Sequence, residues 1–332
     1  MAMPYFFLEV KMINVTYNDK KTNKLIELNA EEIEQCKSFK GKWVHMINPD
    51  DKEIEFVSEI TSIPEIALKA ALDEEERPRI EKEDEYLLVL VDIPVIQDDE
   101  DDRISYTTLP MGIIVTENIL VTVCLKDSAV TRDFIYGRVK NVFINNPTRF
   151  TFQLLFTIAT KFLHYLRQID KTSQKVQTEL HKSMKNKELI QLLDIENTLV
   201  YFSTSIRTNN VVIDKLSRSN FLPKVEEDQD LIEDVAIESL QALDMCNTYK
   251  DILSSTMDAF ASVISNNLNI VMKILTSITV IISVPTLIAS LFGMNLGGIP
   301  GGNFKFGFLI VTLVSLLMAV GLGLVLYRKK MM

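Results

Sequence analysis

The chain has 332 residues, with 35 Lys and Arg against 45 Asp and Glu, a formal net charge of −10. That balance excludes a protein that holds nucleic acid through its phosphates, and it favours cations as partners. Cys36, Cys124 and Cys246, like His45, His164 and His181, are scattered, which excludes a disulfide framework or a zinc site of ordinary ligand spacing.

Residues 1–145 read as an α/β domain. Strands are predicted at "YFFLEVKMI" (5–13), "KWVHMI" (42–47), "YLLVLVDIPVI" (86–96) and "GIIVTENILVTVC" (112–124), the last a hairpin turning at Glu117–Asn118. Helices fit between them, with Asn29 capping "AEEIEQCKS" and Pro64 opening "EIALKAALD". No GxxxxGK[ST] or GxGxxG motif occurs, so the sequence predicts no nucleotide-binding engine.

Asn146-Pro147 starts a different pattern, a helical hairpin over 146–228. Phe152, Leu155, Ala159, Phe162, Leu166 and Ile169 step by three and four, as one buried helical face requires. After the polar stretch at Lys185–Lys187, Leu192, Ile195, Leu199, Phe202 and Ile206 repeat the step. A hairpin burying its own seam explains both runs without any chemistry. Pro223 and the acidic "VEEDQD" then interrupt the chain.

From Gln229 to Phe292 there is no glycine, and no proline except Pro285. Read as one helix, this stretch runs about 95 Å at 1.5 Å per residue, far more than a bilayer's thickness. It is expected to combine a stalk (229–273) with a first transmembrane helix (274–292). A loop (293–305), a second transmembrane helix (306–327) and a basic tail (328–332) follow. No Asp, Glu, Lys or Arg occurs from Ile274 to Phe304 or from Phe306 to Tyr327, and each stretch holds an apolar run of about 20 residues, enough to span a membrane. Both lie far from the N-terminus, unlike a signal peptide. Lys273 precedes the first span, and Arg328, Lys329 and Lys330 close the second. The positive-inside rule therefore puts both termini in the cytoplasm of a two-span cell-membrane protein.

The first span carries a polar stripe. Asn269, Met272, Thr276, Thr279, Ser283, Thr286 and Ser290 recur with gaps of 3, 4, 3, 4, 3 and 4, which places them on one helical face. Small and hydroxyl residues also occur where membrane helices pack, so helix packing is one reading. The other is a water-filled pore shared by several copies, since two spans cannot enclose one alone. Such a pore has no carboxylate, imidazole or thiolate from Asn269 to Asn295. It suits a hard cation that keeps its waters, as Mg2+ does. At its outer end Gly293 is expected to end the helix in a left-handed conformation. Asn295 would then offer a side-chain carbonyl at the mouth.

These residues resemble the CorA family of divalent-cation transporters. "GMN" (Gly293, Met294, Asn295) after the penultimate span, one further span and the tail "YRKK" is that family's signature arrangement. "NIVMKILT" (269–276), "PTLIAS" (285–290) and "ALDEEERPRIE" (71–81) are also similar to family segments. The resemblance implies an α+β membrane protein assembled as a homopentameric funnel, with stalk helices lining the pore and the Gly-Met-Asn turn forming the selectivity ring. It matches Asn269, Met272, Leu275, Ser283, Thr286 and Ser290 to pore positions. Ser283 stands where many members carry methionine, and Ser290 where they carry glycine, a departure from a hydrophobic gate at those levels. The resemblance also implies regulatory Mg2+ between subunits, with Asp234 on the stalk, a partner near Asp98 in "QDDEDD", and Asp258 in a further acidic ring.

The loop "LGGIPGGNF" lacks the glutamate of many members and is similar to the zinc-transporting ZntB branch, which usually has valine where Met294 stands here. Mg2+ influx, with Co2+ or Ni2+ as passengers and cytosolic Mg2+ as the gating signal, is the expected activity. Proton-coupled Zn2+ transport is the alternative. A membrane-anchored enzyme would need a catalytic constellation, and none is legible. A structural or sensory oligomer would tolerate Asn295→Ala.

Overall fold

A computed structural model describes residues 12–18, 25–98, 104–183, 186–294, 306–329 and 331. They form two compact units, one ending at Ser254 and the other starting at Ser255.

The first unit is built on a seven-stranded mixed sheet. Its strands are β1 (Ile13–Asn18), β2 (Leu25–Glu27), β3 (Trp43–Ile47), β4 (Arg79–Lys82), β5 (Leu87–Asp98), β6 (Ile104–Val115) and β7 (Leu120–Cys124). The order is β2-β1-β3-β7-β6-β5-β4, with β3 and β7 parallel and the other neighbours antiparallel. The strand expected at 5–13 lies almost wholly outside the described residues, and β1 begins at its last position. The 112–124 hairpin turns as expected, with the Thr116 amide donating to the Ile119 carbonyl at 3.0 Å.

Period-two alternation sorts the strands' side chains onto two buried faces. Val15, Val44, Met46, Val121 and Val123 face a core completed by Ile33, Ile54, Val57 and Leu68. Those last four come from three short helices, α1 (Ala30–Glu34), α2 (Asp51–Thr61) and α3 (Glu65–Lys69). Asn29 and Asp50 start α1 and α2 with capping boxes that satisfy amides at both first turns. On the opposite face Trp43 meets Phe134 and Phe150 edge-on, at 6.0 and 5.1 Å. These two rings belong to α4 (Ala129–Ile135) and α5 (Pro147–Ser183).

The helical hairpin is α5 with α6 (Asn186–Arg218). Asn146 caps α5 by accepting the Arg149 amide at 3.0 Å, and Pro147 fills the first helical position, where its missing N–H costs nothing. β4 pairs with β5 only as far as Leu90. Beyond it, the Asn209 side chain of α6 accepts from the Asp92 amide at 2.8 Å and donates to the Asp92 carbonyl at 2.7 Å. One buried amide thus stands in for a missing strand and ties α6 to the sheet.

The longest element is α7 (Gln229–Phe292), a 64-residue helix that continues through Pro285 from the first unit into the second. Within the first unit it buries Ile232, Val235, Ser239, Ala242, Cys246 and Leu253, a seam of three- and four-residue steps that ends with one of seven. Its start is held by Arg149, which pairs at 3.3 Å with the fully buried Asp228. Burial pushes the pKa of the Cys124 and Cys246 thiols up to about 12, so both are inert packing residues. In the second unit α7 and α8 (Gly307–Arg328) are the two helices long and apolar enough to cross a membrane.

Candidate ion-conducting face

Thr279, Ser283, Thr286 and Ser290 line one open groove along the membrane part of α7, flanked by Ile278, Ile282 and Leu287. Asn269, Met272, Leu275 and Thr276 continue the exposed face below it. A hydroxyl has one hydrogen to give, and three of these give it to their own helix. Thr279 donates to the Leu275 carbonyl at 2.8 Å, Ser283 to Val280 at 2.9 Å and Thr286 to Ile282 at 2.9 Å. The remaining lone pairs are left to the groove, so it offers acceptors. The waters around a metal cation turn their hydrogens outward and are donors. Stripe and hydrated cation therefore have complementary polarity, and no carboxylate is present to hold the ion fast.

The lower part differs in chemistry. Met272 and Leu275 are 51% and 57% exposed, so toward the stalk the face mixes these apolar side chains with Asn269 and Thr276, whereas from Thr279 upward its stripe positions are all hydroxyls. This division is legible in the sequence; the direction in which the hydroxyl hydrogens point is not, because it depends on side-chain rotamers.

The outer end requires a correction. Gly293 has no positive φ, unlike Gly41 and Gly137. Its amide donates to the Ala289 carbonyl at 2.9 Å, so the right-handed ladder continues one residue past the helix. A Cβ at Gly293 would sit 3.1 Å from the Ala289 oxygen, a tight contact in an otherwise ordinary helical turn. Met294 is exposed, while Asn295 and the rest of the loop to Lys305 lie outside the described residues.

The acidic candidates occupy separate places. Asp234 is exposed on α7 in the first unit, and Asp258 is exposed on α7 in the second. Asp98 ends β5 opposite Ile104; its side chain and residues 99–103 lie outside the described residues. One residue of consequence escapes the stripe pattern altogether. Ser277 is buried on the far side of α7 and donates to the Met331 carbonyl at 2.8 Å.

Comparison with known proteins supplies a frame for this geometry. A model of the family described as "CorA-like Mg2+ transporter protein" matches residues 40–329. The cobalt/magnesium transport protein CorA of Methanocaldococcus jannaschii is 28% identical over 301 residues, covering 88% of this chain and 91% of that protein. The solved complete structure of the CorA magnesium transporter from that organism superposes with a TM-score of 0.78 at 25% identity, over 96% of this chain and 98% of that one. The ZntB cytoplasmic domain from Vibrio parahaemolyticus shares the fold, with a TM-score of 0.60 at 12% identity over 77% of this chain and 98% of that domain.

Proposed function

The chain belongs to the family of CorA-like Mg2+ transporter proteins, and from that premise we propose that copies of α7 assemble around a pore that admits hydrated Mg2+. The observation that carries this reading is the groove lined by Thr279, Ser283 and Thr286, whose hydroxyls donate to their own helix and leave acceptors facing the groove. A single chain leaves that face exposed; a ring of copies turns it onto a common axis and closes the pore. The expected assembly is a homopentamer in membrane lipid, with both termini cytoplasmic.

Selection in such a pore is by charge and hydrated size. Weak acceptors replace bulk water around the ion's shell without stripping it, so the ion enters and leaves readily. Mg2+ fits because it sheds its waters reluctantly, and hydrated Co2+ or Ni2+ should follow it. The Gly293-Met294-Asn295 turn would form the outer ring, with the Asn295 amide oxygens meeting the ion first. The membrane potential supplies the work, about 2.3 kcal/mol per charge per 100 mV and roughly twice that for a divalent ion. Influx into a negative interior therefore needs no nucleotide.

Closure is assigned to Mg2+ bound between neighbouring subunits by Asp234 and the Asp98 region, with Asp258 as a further acidic ring. Occupied, such a site holds two acidic surfaces together; emptied, their carboxylates repel and the closed arrangement weakens. Counting subunits by mass in mild detergent and in lipid tests the assembly. A homopentamer is expected, and a monomer or dimer under both conditions removes the pore.

A further inference from the structure

From Ser255 to Met294, Ser277 is the one described residue of α7 that is buried, at 2% exposure. It is also polar, in a span whose other outward positions are mostly Ile, Leu and Val. Its hydroxyl donates to the Met331 carbonyl at 2.8 Å. The end of α8 prepares that acceptor. The Lys329 amide reaches the Val325 carbonyl at 3.0 Å, and the Met331 amide reaches back to Leu326 at 3.1 Å. This closing turn uses up carbonyls of the last helical turn and leaves the Met331 oxygen for α7.

Rotation about α7 gives the contact its meaning. At about 100° per residue, Ser277 lies roughly 200° from Thr279, 180° from Thr286 and 220° from Ser290. It therefore marks the side opposite the hydroxyl stripe. Ile281 lies one turn on, on the same side as Ser277, and a Cβ at Gly323 of α8 would sit 3.6 Å from its Cδ1. The helices are thus in close contact along this side, with α8 behind the stripe.

Apolar packing alone specifies such a rotation weakly, because in lipid one greasy face is nearly equivalent to another. A hydrogen bond from a hydroxyl to a backbone carbonyl adds the direction that apolar contact lacks. Lys273, Arg328 and Lys329 place the contact at the inner membrane boundary.

We propose that Ser277 is a positioning residue for ion passage, its hydrogen bond to the Met331 carbonyl latching α7 to the end of α8 and turning the hydroxyl stripe into the shared pore. This rests on the ion-conducting reading above. The test uses the full chain in liposomes, with Mg2+ influx followed under an imposed inside-negative potential. Ser277→Ala should slow influx about tenfold with assembly unchanged, deletion of Met331 and Met332 should do the same, and the combination should be no slower than either. Ser277→Thr, which keeps the hydroxyl, should conduct like the parent. In a Ser283→Cys background, labelling by a hydrophilic, membrane-impermeant thiol reagent should fall on adding Ser277→Ala, reporting the lost rotation. Parent-like flux and labelling in Ser277→Ala would overturn the latch, as would additive losses in the combined variant. Absence of Mg2+ influx in the parent would instead overturn the ion-conducting reading.

Discussion

The two units bury opposite kinds of residue. Around the sheet, Val, Ile, Leu and Phe make up most of the buried residues, and nearly all charges lie outside, Glu53 and Asp228 excepted. In the second unit Leu, Ile and Phe are exposed along both helices, while Ser277 and Ser315 are its buried residues among those described. One chain thus obeys two rules because it is written for two solvents. In water, apolar burial drives folding. In lipid that drive vanishes, and polar pairs and small-residue contacts decide how helices meet. The hydroxyl stripe adds a third element, and the proposed reading gives it a third environment, a water-filled pore.

The largest effect should come from the mouth. Asn295→Ala removes an amide oxygen from every subunit at once and should abolish Mg2+ influx while leaving the assembly's mass unchanged. Parent-like influx would leave the second unit as a mere anchor and erase the contrast.

Acid should separate the units next. His45 is 1% exposed between Trp43 and Thr122; its Nδ1 lies 2.8 Å from the Thr122 hydroxyl, and burial lowers its pKa to about 4. Unfolded, it titrates near 6.5. Its contribution is therefore fully present above about pH 6.5 and is lost as pH falls toward 4, by roughly 3 kcal/mol at most. Trp43 is the sole tryptophan and donates to the same Thr122 hydroxyl at 2.8 Å, so its fluorescence reports this unit alone. Denaturation midpoints read from Trp43 should drop between pH 6.5 and 4, and His45→Gln should flatten that dependence. An equal slope in the variant would shift the acid sensitivity to other groups. The membrane part of α7 has no titratable side chain from Ile274 to Met294 and should not respond.

Replacing hydroxyl by methyl along the stripe sharpens the comparison from the other side. Thr279→Val with Thr286→Val keeps shape and removes acceptors, so influx should fall about tenfold with the Trp43 midpoint unchanged. Unaltered influx would favour the packing role for these residues. The smallest effect is expected at Asp234→Asn, a several-fold rise in the cytosolic Mg2+ needed for closure. Unchanged sensitivity would return that carboxylate to the solvated surface.

What can be read directly from the residues follows the same division. Regular periods are legible: the 3-4 stripe, the seams of α5 and α6, and the glycine-free run that becomes α7. Local caps are legible too, at Asn29 and equally at Asp50, whose Asp-x-x-Glu spacing announces α2. Short edge strands are not. β2 has three residues and β4 reads "RIEK", so neither carries an apolar alternation, and both exist because neighbours offer hydrogen bonds. β5 is legible through Pro94, whereas Pro110 obscures the first half of β6, which tolerates it within a register running from Leu87↔Val115 to Asp98↔Ile104. Single contacts between distant segments are the least legible. Nothing around Ser277 in the sequence points to Met331, and Gly293 looks like a left-handed terminator until its amide is seen bonding to Ala289.

The central claim is that a stripe of neutral oxygens conducts a hydrated divalent cation down the electrical gradient. Its most direct test is flux into liposomes holding the purified chain, under an imposed inside-negative potential, with and without a pH gradient. The account predicts Mg2+ influx that grows with the potential, is shared by Co2+ and Ni2+, and ignores the pH gradient. Zn2+ influx that follows the proton gradient, with no Mg2+ influx at any potential, would contradict it.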